Sequence, residues 1–317
     1  MGKIIFFGFL LFWVPSLLFA QEYPIKPINI LVSHGPATSV DVAVRLLASP
    51  AEKLLGQPFV VTNNGGGGGS VGLGIVAKAK PDGYHLVGGV DYPYVLLPHL
   101  RDLPYKLEDF ALIMQFAENT TMGILVKADS PWKTLKELVE FAKKNPGKFT
   151  CSVSGVNSNM YIAMAYIAKE EGIQWTAIPY PAGDPNYPLL GGHVTASCSG
   201  PVYIPHVQAG TLRLLATCGT ERSKVFPEVP TLQELGYNFS VVTRCLISAP
   251  KGTPLSVVKK LDDTFRKAMD NPELVNYLEK FDYLVRYRNN EELTTRLKEE
   301  KERIGNWVIQ LKIPKEK

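Results

Sequence analysis

The sequence predicts an α/β protein, and three observations carry that prediction. First, the apolar run Ile28 to Val32 reads as a buried strand, followed by a short turn of small residues. Apolar residues then recur at helical spacing at Val40, Val44, Leu46 and Leu47. Second, strand-like and helix-like stretches keep alternating as far as Val90, which argues for a mostly parallel sheet. Third, the same order returns in the second half, where Phe149 to Val153, the loop SGVNSN and a helix beginning near Met160 follow one another. A chain of 317 residues has room for two domains of about 100–200 residues each.

Taken in order, residues 1–20 read as a secretory leader. Lys3 supplies the positive end, Ile4 to Phe19 is apolar apart from Gly8, Pro15 and Ser16, and cleavage is expected after Ala20. An uncleaved anchor is the alternative, but the run is short for a span and Pro15 would break it. In the first strand–turn–helix unit, Thr38, Ser39 or Asp41 can cap the helix by accepting from its free first-turn N–H groups. The turn residues Gly35, Pro36, Ala37 and Thr38 let a ligand approach the backbone. The helix start adds unpaired donors and a partial positive charge, so the unit suits a carboxylate or other anion. Turns of this kind that bind nothing are common in α/β proteins.

Pro58 to Thr62 reads as a second strand, and NNGGGGGS at Asn63–Ser70 as a loop that only glycine backbone can follow. It is no phosphate-binding P-loop, because the GK[ST] ending is missing. A helix over Val71–Ala79 and a strand over Tyr84–Gly89 come next. The loop after that strand, with Asp91, Tyr92 and Tyr94, should open on the same carboxyl edge as the first turn, where open α/β sheets bind ligands. Those tyrosines could equally be packing residues. Two strand-like runs over Phe110–Val126 flank Asn119-Thr120-Thr121. Ser130–Gly147 reads as a helix capped by Ser130. Strands follow at Trp175–Tyr180, Val194–Ser199 and Gly210–Cys218, with a short helix at Val229–Gly236. A long amphipathic helix runs from Leu255 to Met269, and the remainder reads as helical and charged.

Composition narrows the function classes. Net charge is +4 and dispersed. The densest run, Lys298 to Arg303, mixes both signs, so it reads as a solvated helix face, and no nucleic-acid partner is expected. Cys151, Cys198, Cys218 and Cys245 form no CxxC pair and sit in apolar runs, which suggests buried free thiols; no metal or cofactor set stands out. An exported hydrolase or transferase using Ser154 or Ser158 is the competing reading. The loop is not a GxSxG elbow, and the five histidines carry no recognisable motif.

Several stretches together carry a resemblance. They are YPIKPINILV at Tyr23, LGQPFVVTNNGGGGGSVG at Leu55, AKPDGYHLV at Ala79, LLGGHV at Leu189, GTLRLLATCGTERSKVFPEVPTLQELGY at Gly210 and APKGTP at Ala249. In this order and spacing the chain resembles the solute-binding proteins of the tripartite tricarboxylate transporter family, the Bug or TctC-type receptors. The resemblance covers nearly everything after the leader. It implies a periplasmic, monomeric, two-lobed receptor of type II-like Venus-flytrap form, with one lobe of residues 21–120 plus 242–317 and the other of residues 121–241. It implies a small carboxylate held between the lobes and passed to membrane permease subunits, with no enzyme activity.

By the same resemblance, Asp41 matches the acid of the family's first loop, while Ala37 and Thr38 stand where two glycines are usual. The second-lobe loop matches Ser154, Gly155, Asn157, Ser158 and Asn159, and the turn after Tyr180 contributes Ala182 and Asp184. Asp184 is expected either on the ligand or as the cap of the next helix. His34 is either a ligand contact that would make binding depend on pH near its own titration range or a strand-end surface residue. Hinges are expected near Asn119–Gly123 and Ser240–Arg244, and Arg244 is a candidate hinge or pocket residue.

Overall fold

The computed structural model describes residues 23–156, 158–180 and 184–315; the leader over residues 1–20 lies outside the described residues. The first half runs β1 (Ile28–Val32), α1 (Ser39–Leu55), β2 (Phe59–Asn63), α2 (Ser70–Ala77), β3 (His85–Val90), α3 (Tyr92–Val95), α4 (Leu97–Leu100) and β4 (Phe110–Asn119). The middle runs β5 (Gly123–Lys127), α5 (Leu135–Lys144), β6 (Thr150–Val153), α6 (Asn159–Glu171), β7 (Thr176–Pro179), α7 (Asn186–Leu190), β8 (Ala196–Ser199), α8 (Ile204–Gln208) and β9 (Leu212–Thr217). The chain ends with β10 (Thr243–Pro250), α9 (Leu255–Ala268), α10 (Pro272–Lys280), β11 (Tyr283–Arg288) and α11 (Asn290–Gln310).

Two sheets result, ordered β11-β4-β10-β3-β1-β2 and β7-β6-β8-β5-β9. Both are mixed rather than mostly parallel. β1 pairs parallel with β2 and β3, and β6 with β7 and β8, as the alternation predicts. β10 and β11 run antiparallel to their neighbours in the first sheet, and β5 does so in the second. The reason is geometric. Where the chain passes from one sheet to the other it does so at the edge to which β4 and β9 deliver it, so β5 and β10 must start there and run away.

The crossings are short and buried. Thr120 and Thr121 lie between β4 and β5 at 1% and 0% exposure. Asn119 ties this step: its Nδ2 donates to Thr121 Oγ1 at 3.1 Å and its Oδ1 accepts from Thr121 N at 3.1 Å. The Tyr203 hydroxyl donates to Thr121 O at 2.7 Å. The return path presses against the same step at Gly219, where a Cβ would stand 1.9 Å from Thr120 O, so no side chain fits.

Each sheet has its own packed faces. Ile30, Val44, Leu47, Phe116, Ile247 and Phe265 pack around the first, and Ile124, Cys151, Val153, Ile162 and Ala216 around the second. All four cysteines are free and buried. α11 runs past α3 and β4 and reaches α6, and its Trp307 ring stacks 4.5 Å from that of Phe239.

Three elements differ from the sequence reading. The helix expected from Ser130 begins at Leu135, because Thr134 and Glu137 form a capping box there. Residues 128–132 instead offer the carbonyls of Ala128, Ser130 and Trp132 to the Arg213 guanidinium. The segment Val229–Gly236 is a turn closed by Thr231 and Glu234, not a helix. The charged C-terminal part contains the edge strand β11, and its mixed-charge run is not wholly solvated. Glu300 is 5% exposed and pairs with Arg244 and Arg303.

Candidate functional site

Strands that end in a helix start all point their carboxyl ends at one place, and strands that leave the crossings begin there. Between the two edges lies a cavity of about 730 Å³. Its first wall comes from His34 after β1, Gly67 and Gly68 of the glycine run, Tyr92 after β3, and Arg101 after α4. Its second wall comes from Ser154, Gly155, Ser158, Asn159 and Met160 after β6, with Gly200 and Pro201 after β8. Asn119, Thr243 and Tyr283 line it from the ends of β4, β10 and β11. Ligand sites at such carboxyl edges are the rule for α/β sheets.

The glycine run shapes the first wall. Gly67 and Gly68 hold φ of 58° and 62°, a region side chains resist, and a Cβ on Gly68 would stand 3.3 Å from the Tyr92 ring. This conformation aims Gly67 O at Arg101, whose Nη2 donates to it and to Ser70 Oγ at 3.2 Å. The guanidinium is thereby anchored at the cavity wall. His34 also lines this wall. Burial lowers its imidazole to about 4, so near neutral pH it is an uncharged hydrogen-bonding group. As a ligand contact it would therefore not make binding depend on pH near the ordinary histidine range.

On the second wall, Ser158 caps α6. Its Oγ accepts from Tyr161 N at 3.2 Å and donates to Gly155 O at 2.6 Å. Its hydroxyl is therefore committed to the cap, which leaves no free nucleophile at this position. The first intrahelical bond is that of Ile162 N to Ser158 O. The N–H groups of Asn159 and Met160 precede it and belong to the unsatisfied helix start. Asn159 Oδ1 is buried with no hydrogen-bond partner among the described residues.

The sequence-predicted residues divide sharply. Tyr92, Ser154, Gly155, Ser158 and Asn159 are brought together in the cavity. Gly35, Pro36, Ala37, Thr38, Ser39 and Asp41 are not among its lining residues. Thr38 caps α1, and the Ser39 hydroxyl lies 3.5 Å from that of Tyr283. Asp41 is turned into its own loop and accepts from Ala37 N at 2.8 Å, Asn63 Nδ2 at 2.7 Å and Arg45 Nε at 2.9 Å. Burial pushes its carboxyl up, but the bonds from Asn63 and Ala37 and the Arg45 charge outweigh that and hold it below the usual carboxylate range.

Asp91 also lies behind the wall rather than in it. It is 1% exposed and accepts from Arg244 Nη1 at 2.8 Å and Arg244 N at 3.1 Å. Arg244 is thus a buried clamp under the Tyr92 turn, bonded also to Glu300 at 3.4 Å, and not a pocket cation. Asp184 accepts from Asn186 N at 2.9 Å in the turn before α7, whose N-cap position is Pro185, and is absent from the lining. Asn157 and Ala182 lie outside the described residues.

Sequence reasoning missed Arg101, Thr243 and Tyr283 as wall residues. Arg101 belongs to no motif; Tyr283 could have been found through the alternation of YLVRYR, which marks β11 as a strand. No Asp or Glu lines the cavity among the described residues, and none of the described residues form a group of His, Cys, Asp and Glu fit to hold a metal ion.

Known proteins match this arrangement. The family model of the tripartite tricarboxylate transporter family receptor, TctC, matches residues 43–313. The UPF0065 protein of the gbd 5' region of Cupriavidus necator is 37% identical over 281 residues, which is 88% of this chain and 85% of that relative. A solved periplasmic transporter is 31% identical and superposes with a TM-score of 0.80 over 92% of this chain and 99% of its own. MatC from Rhodopseudomonas palustris, solved with bound malate, is 25% identical with a TM-score of 0.76 over 90% of this chain and 100% of its own. The α/β chain with its two mixed sheets belongs to the TctC family of tripartite tricarboxylate transporter receptors, which are periplasmic solute-binding proteins and not enzymes.

Proposed function

We propose that the chain is exported by its leader to the periplasm, binds a small carboxylate between two lobes, and delivers it to a tripartite tricarboxylate permease. The lobes are residues 21–120 plus 242–317 and residues 121–241, with α11 reaching from the first across to the second. The observation that carries this reading is the cavity where the two sheet edges meet, with the Arg101 guanidinium on one wall and the start of α6 on the other. Each favours negative charge, one by its own charge and one by aligned peptide dipoles. The malate bound by MatC agrees with that chemistry.

In this reading the ligand lands on one lobe and closure adds the other. Tyr92, Ser154, Gly155, Ser158 and Asn159 contact it directly. The turn Gly35–Ser39, exposed at Pro36 to Thr38, follows His34 at the wall, and closure carries it toward the ligand. Thermal unfolding of the mature protein against tricarboxylic, dicarboxylic, aliphatic, amino and aromatic acids tests the proposal, with phosphate and sugars as controls. A rise in melting temperature with a carboxylate class alone is expected, since a ligand of the folded state stabilises it by mass action. Small-angle scattering of the same sample should show compaction. A response to sugars or phosphate and to no carboxylate would overturn the reading.

A further inference from the structure

We propose that the Asp282 carboxylate is a latch between the two lobes, and that it sets ligand affinity without touching the ligand. This rests on the two-lobed receptor reading and adds a conformational element to it. Ser223 Oγ donates to Asp282 Oδ2, and Lys224 N donates to Asp282 Oδ1 at 3.1 Å. Asp282 belongs to the segment 242–317 of the first lobe, and Ser223 and Lys224 belong to the second. Asp282 and Ser223 are buried, at 3% and 2% exposure. Hydrogen bonds to a carboxylate are stronger than neutral ones, and burial strengthens them further.

Each end is built by its own lobe. In the second, Ser223 Oγ accepts from Val225 N at 3.1 Å and from Phe226 N at 2.9 Å, which closes a turn leading into the buried Phe226. In the first, Asp282 stands between α10 and β11 at a φ of 56°. Few residues other than glycine take that conformation, and Asp and Asn take it more readily than most. Its N–H donates to Glu279 O at 3.0 Å, and its carbonyl accepts from Asn119 Nδ2 at 3.4 Å. The backbone is thus fixed within the first lobe, while both carboxylate oxygens reach across to the second.

The latch lies beside the cavity but outside its lining. Asn119 and Tyr283 line the cavity; Asp282, Ser223 and Lys224 do not. A second tie between the lobes, Arg286 to Glu221 at 3.0 Å, is exposed at both ends and contributes less. Bonds made between lobes count in the balance between lobe arrangements. In this structure the turn Gly35–Ser39 does not line the cavity, and closure is what carries it in. The latch therefore favours the arrangement before closure, and every ligand binds against it. Such a bias multiplies the dissociation constants of all ligands by one common factor.

Calorimetric titration with malate, succinate, adipate and phenylacetate tests this on the mature wild type, Asp282→Asn and Ser223→Ala. Asn keeps the size of the side chain and tolerates the positive φ. Each variant should bind every carboxylate that the wild type binds at least about fivefold more tightly, with the ranking of ligands unchanged. Small-angle scattering should find the variants without ligand more compact than the wild type. The double variant should gain no more than the larger single one, since both changes break one tie. Glu221→Ala should shift affinity less than about twofold. Should Asp282→Asn not fold, Ser223→Ala decides alone. Affinity unchanged or weakened in the folded variants, or a gain that differs several-fold among ligands, would overturn the latch and leave the carboxylate receptor standing. Binding of no carboxylate by the wild type would remove both.

Discussion

Between β1 and α1 the helix start carries an acid of its own, Asp41, whereas the first turn of α6 after β6 has none. Both units share the order strand, small-residue loop, helix. In the first, a carboxylate built into the chain already accepts from the loop amide of Ala37, and the loop stays exposed beside the cavity. In the second, the cap is a neutral hydroxyl, Ser158, and the helix start faces the cavity. One start is neutralised from within and serves stability. The other has no acid in its first turn and presents its start to the cavity. A helix N-terminus can attract an outside anion best where no acid of the chain already occupies it.

The contrast is easiest to break at Asp41. Asp41→Ala removes one buried acceptor from three donors, and we expect a loss of about 2–4 kcal/mol in urea denaturation. Affinity of the folded variant for the carboxylate that stabilises the wild type should change less than threefold. A tenfold loss of affinity at preserved stability would make the α1 start a binding wall after all.

A pH series sharpens the contrast next. The folded His34 imidazole titrates at about 4, below the ordinary value of 6.5, so the unfolded chain takes up the proton first. Its contribution is complete above about pH 6.5 and is lost as pH falls toward 4, by about 1–3 kcal/mol after allowing for its partial exposure. Asp41, held below the usual carboxylate range, adds a further loss at still lower pH. His34→Gln should flatten the upper part of the curve and leave the lower part; an unchanged curve would mean that His34 is solvated.

Ser158→Ala tests the open start. It should cost about 1 kcal/mol of stability yet weaken the same carboxylate several-fold, the reverse of the Asp41 pattern. If only stability falls, the α6 start does not hold the anion. The smallest effect is expected at Gly68→Ala, where a positive φ and the nearby Tyr92 ring should together cost about 1 kcal/mol. Equal stability to the wild type there would show that the glycine run is not what shapes the first wall.

Much of the fold was legible because its signals are local. Ile28–Val32 is apolar and bounded by turn residues, and β1 occupies those same positions. The amphipathic stretch from Leu255 becomes α9, ending at Ala268. β11 was lost because YLVRYR carries two arginines that read as helix-like charge, although both pair with Glu118 on β4. At the cavity, the strand, SGVNSN loop and helix start were legible from their order, and Ser154, Gly155, Ser158 and Asn159 from the match of that loop to the family's. Arg101 was not, since its anchoring depends on Gly67 O, 34 residues earlier in the chain.

By itself, then, the sequence determined most of the order of strands and helices, the cap region of α1 at Thr38 and the place of the glycine run. These follow from side-chain periodicity and backbone preference within a few residues. Only the tertiary structure decided which of two similar helix starts meets the cavity, which carboxylates are silenced by Arg45, Arg244, Arg286 and Arg288, and which arginine is held at the wall by Gly67 O and Ser70. Charge pairing and desolvation are set by neighbours distant in sequence, so the field inside a cleft exists only once the sheets have packed.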